Sequence, residues 1–424
     1  MNIVYITQAK STDLNHGTPI LANQYLNLAL KKNYNVCLLT PTYDEQLFYK
    51  THKKNEIFYH YLPAIHNWSL NGFEFENDNL KNDLDLPFKP DLFHIIDLVN
   101  FDSQLLYKLK KYKIPIIRHI CSFEDFCYFV TPVLNNSDNS LCRMKLDKEV
   151  CSECITKNLF KRLKLIKKIG FLLSNKKKKT KNNFENNLKN RNQIINFHLN
   201  EIYDYLIFAS NDYADYYFSH TRNKKKKFSI IPHGIKKDLA IKKLKNEKIN
   251  FIYTGGVIFN KGWDIIEKSF YYLLKKYSNK INLRVYGDKK KTLKSKIANF
   301  KNVELFDKYD HRDLNKILSW ADIGIIPSYF DTYNLFLREL INQNVIPITS
   351  NFFSVSEIIQ NNHNGIILNK NNKENLIKSV EEIINNFNFK NKLNENIKNT
   401  KIISDDEEFK KVNEIYEKFF NKSN

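Results

Sequence analysis

The sequence predicts an α/β protein made of two doubly wound, Rossmann-like domains, and three observations carry that expectation. The chain has 424 residues, too many for one ordinary core. Short apolar, β-branched runs alternate with longer amphipathic ones, the pattern of parallel strands covered on both faces. The series of runs restarts once, in "IIPHGIKKDLAIKKLKNEKIN" at 230–250.

In the first series, strands are expected at residues 3–6, 36–40, 57–61, 92–96, 114–119 and 206–209. In the second they are expected at 249–254, 281–286, 303–306, 323–326, 345–349 and 365–368. Helix-length segments lie between them, among them 24–32, 263–277 and 312–320. The domains are then 1–230 and 231–400. The first carries a cysteine-bearing insertion at 121–155 and a basic segment at 155–180. A terminal helix over 401–424 is free to return to the first domain. Domains of this kind, facing each other, leave a cleft at the carboxyl ends of both sheets, where open α/β sheets bind ligands.

Composition narrows the class. Hydrophobic residues make up 42% and aromatics 14%, enough for packed cores and against a disordered chain. No run approaches the roughly 18 apolar residues of a membrane span. The start "MNIVYITQAKS" has no cationic segment before its apolar run and reads as a first strand, so a cytoplasmic protein is expected. The net charge of +21 admits an acidic partner such as nucleic acid, or a bias toward Lys, Asn, Ile, Phe and Tyr. No zinc-finger, helix-turn-helix or RNA-recognition pattern accompanies it, so no specific nucleic acid is expected.

Three post-strand loops have the chemistry of phosphate and sugar binding. After the first strand, Gly17 lies in a polar loop that feeds a helix opening around Pro19, where backbone amides can approach an anion. After "INFIYT", the stretch "GGVIFNKGW" places Gly255 and Gly256 in a tight turn with Lys261 behind them as a point charge. It lacks the spacing and ending of a P-loop. In "PSYFDTYNLFLREL", Asp331 precedes a polar turn and Glu339 lies about two helical turns into the following helix. Turn amides can bind an anion, while Glu339 can accept from a vicinal diol and Asp331 from a second polyol. Phosphates between one acid per sugar describe a nucleotide-sugar site. The competing account is a helix cap and a surface Glu.

With those residues in view, the chain resembles the GT-B retaining glycosyltransferases of family 4 (glycosyl transferases group 1) almost end to end. Matching features are "KPDLFHIID" at 89–97, "IIPHGI" at 230–235, "GGVIFNKGW", "SWADIGIIPSYFDTYNLFLREL" at 319–340 and "NHNGIIL" at 362–368. The resemblance implies a GT-B fold and transfer of a sugar from a nucleoside-diphosphate sugar, with retention and without a metal. It implies that Glu339 binds the ribose, that Asp331 touches the donor sugar, and that the turn from Thr332 through Asn334 to Leu335 offers amides to sugar and diphosphate. Lys261 would stabilise the leaving diphosphate beside Gly255 and Gly256, with Gly17 meeting the same phosphates. His119, after a central N-terminal strand, would approach the sugar. The sequence departs from the pattern at Asp331, usually Glu, at Thr332–Asn334, usually Gly-Phe-Gly, and at Gly256, usually Arg. A non-catalytic nucleotide-sugar binder is the alternative these departures keep open.

Four cysteines, Cys127, Cys142, Cys151 and Cys154, have a spacing compatible with a structural zinc or with reduced thiols packing a loop. Cys37 and Cys121 read as core. The following "CITKNLFKRLKLIKKIGFLLSNKKKK" is a basic amphipathic helix by its spacing. It suits an anionic membrane surface, and with it a glycan or lipid-linked acceptor, or else it is a core helix with a solvated face. The triplet "DLD" at 83–85 is expected to be a solvated loop.

Overall fold

A computed structural model of the protein describes residues 1–8, 17–65, 84–125, 127, 142, 151–152, 154, 186, 189–191, 193–195, 197–221, 227–237 and 247–423. The chain divides into two compact units, with the break in the main path between Ile231 and Pro232.

The first unit is an eight-stranded sheet. Its strands are β1 (Asn2–Ile6), β2 (Asn35–Thr42), β3 (Thr51–Lys54), β4 (Ile57–Pro63), β5 (Leu92–Ile95), β6 (Ile116–Ile120), β7 (Tyr205–Phe208) and β8 (Phe228–Ile230). They lie in the order β3-β4-β2-β1-β5-β6-β7-β8, parallel except for β3 against β4. The runs expected as strands are all strands, because continuous Ile, Val, Leu and Phe suit a pleat buried on both faces. Two strands escape that criterion. β3 is "THKK", exposed at every residue, a charged edge strand that pairs with β4. β8 is three residues long. The first helix opens earlier than expected, running Gly17–Lys31.

The second unit has six parallel strands. These are β9 (Ile249–Tyr253), β10 (Ile281–Gly287), β11 (Val303–Asp307), β12 (Ile323–Ile326), β13 (Ile346–Ser350) and β14 (Ile366–Leu368), in the order β11-β10-β9-β12-β13-β14. Helices Trp263–Lys276 and Lys373–Asn385 bury Phe270, Leu273, Leu376 and Val380 in one core cluster. Helix Leu335–Asn342 buries Leu337, Leu340 and Ile341 in another. The segment expected as one helix over 312–320 is a tight turn at His311–Asp313 followed by the short helix Leu314–Leu318.

This order determines where a ligand can bind. The strands run outward in opposite directions from the β9/β12 boundary, the topological switch point beside which open α/β sheets take ligands. The loops that leave β9 and β12 are "TGGVIFNKG" and "PSYFDTYN". In the first unit the equivalent boundary lies between β1 and β5.

The last helix, Asp405–Ser423, has its residues up to Lys410 in the second unit and those from Lys411 in the first. Within the second unit, Glu408 accepts from the Gly234 amide at 2.8 Å and lies 2.9 Å from His233 Nδ1. Within the first, the Tyr416 hydroxyl is 2.6 Å from His94 Nδ1 and Tyr34 donates to Asn413 at 3.0 Å.

Candidate active site

The loop after β9 is held by backbone and tyrosine contacts. Gly256 has φ of +61°, and its amide donates to the Tyr286 carbonyl at 3.2 Å. A Cβ on Gly287 would stand 2.4 Å from Gly256 Cα, so the two post-strand loops touch backbone to backbone. Tyr253 donates its hydroxyl to the Gly256 carbonyl at 3.0 Å and the Lys261 carbonyl at 3.2 Å. Gly262, at φ +76°, turns the chain into helix Trp263–Lys276. A side chain there would meet the Pro327 carbonyl oxygen at 2.0 Å, so only glycine fits between this loop and the one after β12.

That close approach puts the two loops' charged residues together. Lys261 Nζ donates to Asp331 Oδ2 at 2.8 Å, with side chains 39% and 15% exposed. Asn334 Nδ2 donates to the same oxygen at 2.9 Å, while Asn334 Oδ1 accepts the Leu337 amide at 2.9 Å and caps helix Leu335–Asn342. The residue at the place of the resembled family's second turn glycine thus becomes both cap and brace for Asp331. Tyr333 donates its hydroxyl to the His233 carbonyl at 2.9 Å. Beneath the turn lies Arg338, a residue to which the sequence reading gave no role. Its guanidinium, buried and 3.7 Å from the Tyr333 ring centre, donates to the carbonyls of Asn334 at 3.2 Å and Ser354 at 3.1 Å.

Glu339 projects from the same helix and is 8% exposed; its Oε1 lies 2.5 Å from His311 Nε2. Burial and the Glu339 charge push the Tyr309 phenol above its ordinary range. His311 and Tyr309 went unread in the sequence because "DKYDHRDL" has no periodicity. The available signal was position: the segment follows a strand, as the other site loops do.

The remaining candidates lie on other elements. Gly17 is the exposed first residue of its helix. His119 is on β6 in the first unit, wholly buried, its ring stacked on His94 at 5.7 Å and its Nδ1 3.4 Å from the Tyr25 hydroxyl. Cys127, Cys142, Cys151 and Cys154 are half-buried, and among the described residues no three of their sulfurs come within 4.8 Å of one another. Cys37 is buried on β2 and its thiol is pushed up to about 12 by that burial. Asp85 is exposed; Asp83 and the basic segment at 155–180 lie outside the described residues.

In the first unit, the carboxyl ends of β1, β5 and β6 are joined by buried acids. Asp97 accepts from the Thr7 hydroxyl and, at 3.0 Å, from the Gln8 amide. Glu124 pairs with buried Arg118 and accepts the Leu98 amide at 3.0 Å. Burial pushes the Glu124 carboxyl up to about 7 against the pull of Arg118.

Comparison with known proteins bears on the fold. Residues 235–400 match the family described as glycosyl transferases group 1. A search of curated proteins found no match. Among solved structures, sucrose-phosphate synthase from Thermosynechococcus elongatus aligns with a TM-score of 0.67 at 12% identity, covering 99% of both chains. Anabaena HepE in complex with UDP-glucose aligns at 0.62 and 10%, covering 99% of this chain and 100% of that one. A glycosyltransferase from Rickettsia africae aligns at 0.60 and 14%, covering 99% and 98%.

Proposed function

We propose, on the premise that residues 235–400 form a group 1 glycosyltransferase domain within a chain of GT-B fold, that the protein transfers a sugar with retention from a UDP- or GDP-sugar. The acceptor is a glycan or a lipid-linked saccharide of the kind used in cell-surface polysaccharide synthesis. The observation that carries the reading is the meeting of Lys261, Asp331 and Asn334 at the switch point of the second sheet.

In this reading Glu339 accepts from the ribose hydroxyls and Asp331 from a hydroxyl of the donor sugar. Amides of the turn from Thr332 to Leu335 face the diphosphate. Lys261 exchanges Asp331 for the phosphate as the bond from the anomeric carbon to phosphate oxygen breaks. The acceptor oxygen then bonds to the anomeric carbon on the face the phosphate leaves, and its proton passes to a phosphate oxygen. The departing diphosphate gains negative charge, so the Lys261 ammonium stabilises the transition state more than the bound donor. These roles need neither a covalent nucleophile nor a metal.

The HepE complexes contain UDP and UDP-glucose, which makes uridine donors the first to test. Incubating the protein with a panel of UDP- and GDP-sugars should release nucleoside diphosphate from at least one of them. Glu339→Ala should release none. A second reading, a donor-binding protein without turnover, is favoured by Gly256, where the resembled pattern has a second cation. Binding with no release from any donor would select it.

Among the described residues no helix is long and apolar enough to cross a membrane. The lysine-rich segment at 155–180 is proposed to contact an anionic leaflet peripherally, each lysine adding about 1 kcal/mol. Flotation with anionic liposomes at low salt should carry the protein upward, and neutral liposomes should not. Equal recovery with both would remove the membrane from the proposal.

A further inference from the structure

We propose that His311 is a positioning residue for the donor's ribose, holding the Glu339 carboxylate in an orientation that accepts both hydroxyls of a vicinal diol. The inference rests on the assignment of Glu339 to the ribose. His311 Nε2 donates to Glu339 Oε1 at 2.5 Å, and the two side chains come from different elements, the turn after β11 and the helix after β12. The carboxylate is nearly enclosed while the imidazole is 32% exposed, so the pair sits at a surface a ligand can reach.

The histidine's turn carries a local brace. Asp310 Oδ1 accepts the Arg312 amide at 2.9 Å, and the Arg312 guanidinium closes on the same carboxylate at 3.0 and 2.6 Å. The Tyr309 phenol, raised by its burial and by Glu339, stays protonated beside the carboxylate.

A glutamate has several side-chain torsions, and ordering them on binding costs affinity. A hydrogen bond to one oxygen removes part of that cost in advance. Each carboxylate oxygen has two lone pairs, so Oε1 can keep His311 and still accept one hydroxyl while Oε2 accepts the other. A nucleotide without its 2′-hydroxyl satisfies only one of the two acceptors. A carboxylate held in place should therefore separate ribose from 2′-deoxyribose more sharply than a mobile one.

The test is calorimetric titration of UDP, GDP and ADP, each beside its 2′-deoxy counterpart, into wild type, His311→Ala, His311→Gln and Glu339→Ala. Wild type should prefer the ribonucleotide of at least one pair. His311→Ala should lose about tenfold in affinity for it with little change for the deoxy form, and His311→Gln, which keeps a donor, should recover most of the preference. Unchanged affinities in His311→Ala, equal losses on both sugars, or a Gln variant no better than Ala would each overturn the inference. Ribonucleotide binding by Glu339→Ala at wild-type strength would instead overturn the donor assignment. Failure of wild type to bind any of the six would overturn both.

Discussion

Asp331 is one methylene shorter than the glutamate of the resembled pattern, and its neighbours make up the difference. Lys261 and Asn334 both reach its Oδ2, and Asn334 spends its other amide atom capping the next helix. Lys261→Ala should therefore lower kcat by about 100-fold, the scale of losing a preorganised donor at a developing anion, with a smaller effect on nucleotide affinity. Steady-state kinetics on the best donor would check this, and a change in KM alone would contradict it. Arg338 is a different case, a buried cation in the first turn of a helix, where the dipole disfavours it. Its return is the support of the Asn334 and Ser354 carbonyls. Arg338→Met leaves both without that donor and should lower stability by about 2 kcal/mol or more, read as a fall in Tm.

The element that defines the site is the turn between β12 and helix Leu335–Asn342, pressed against the loop that ends at Gly262. Adding one methyl at that glycine drives Cβ into the Pro327 carbonyl at a positive φ. Gly262→Ala should cost more than about 1 kcal/mol in stability and reduce donor turnover with it. A variant with wild-type Tm and turnover would show that the two loops are not in contact. Much of this scale was legible in the sequence. The buried parallel strands announce themselves as apolar runs, and the acids and glycines that follow them fall in the loops the sheet order selects. What was not legible depends on pairing rather than pattern. "THKK" becomes a strand only by lying beside β4, and His311 gains a partner only because β11 and β12 belong to one sheet. The spacing of Asp331 and Glu339 left two readings open, a cap with a surface Glu or two fingers of one site. Asp331 meets Lys261 and Glu339 meets His311, two anchored carboxylates on one turn and its helix.

At the scale of the whole molecule, acid should unfold the chain through its buried imidazoles. Burial, with Arg118 adding, lowers His94 and His198 to about 3, far below an exposed histidine. As pH falls below about 6.5, the unfolded chain takes up a proton at each site while the folded chain does not. Stability is thus complete above that pH and is lost on acidification toward 3, by up to about 1.4 kcal/mol per pH unit for each histidine. Glu124, pushed up to about 7, works the other way and offsets part of this loss, because over the same range the folded chain holds a proton there that the unfolded chain lacks. Thermal unfolding followed from pH 7 to 4.5 in wild type and His94→Gln should show the variant losing less stability on acidification, by about one proton's worth. An identical slope in the variant would contradict the assignment.

In the proposed site Lys261 and Glu339 hold the nucleoside diphosphate of one donor, and Asp331 holds its sugar. Calorimetric titration of UDP and GDP into wild type, Lys261→Ala and Glu339→Ala, all three verified as folded, tests it most directly. Saturable one-to-one binding of at least one of them to wild type, weakened in both variants, is the expected result. Wild type that binds neither nucleotide, or variants that bind as tightly as wild type, would contradict it.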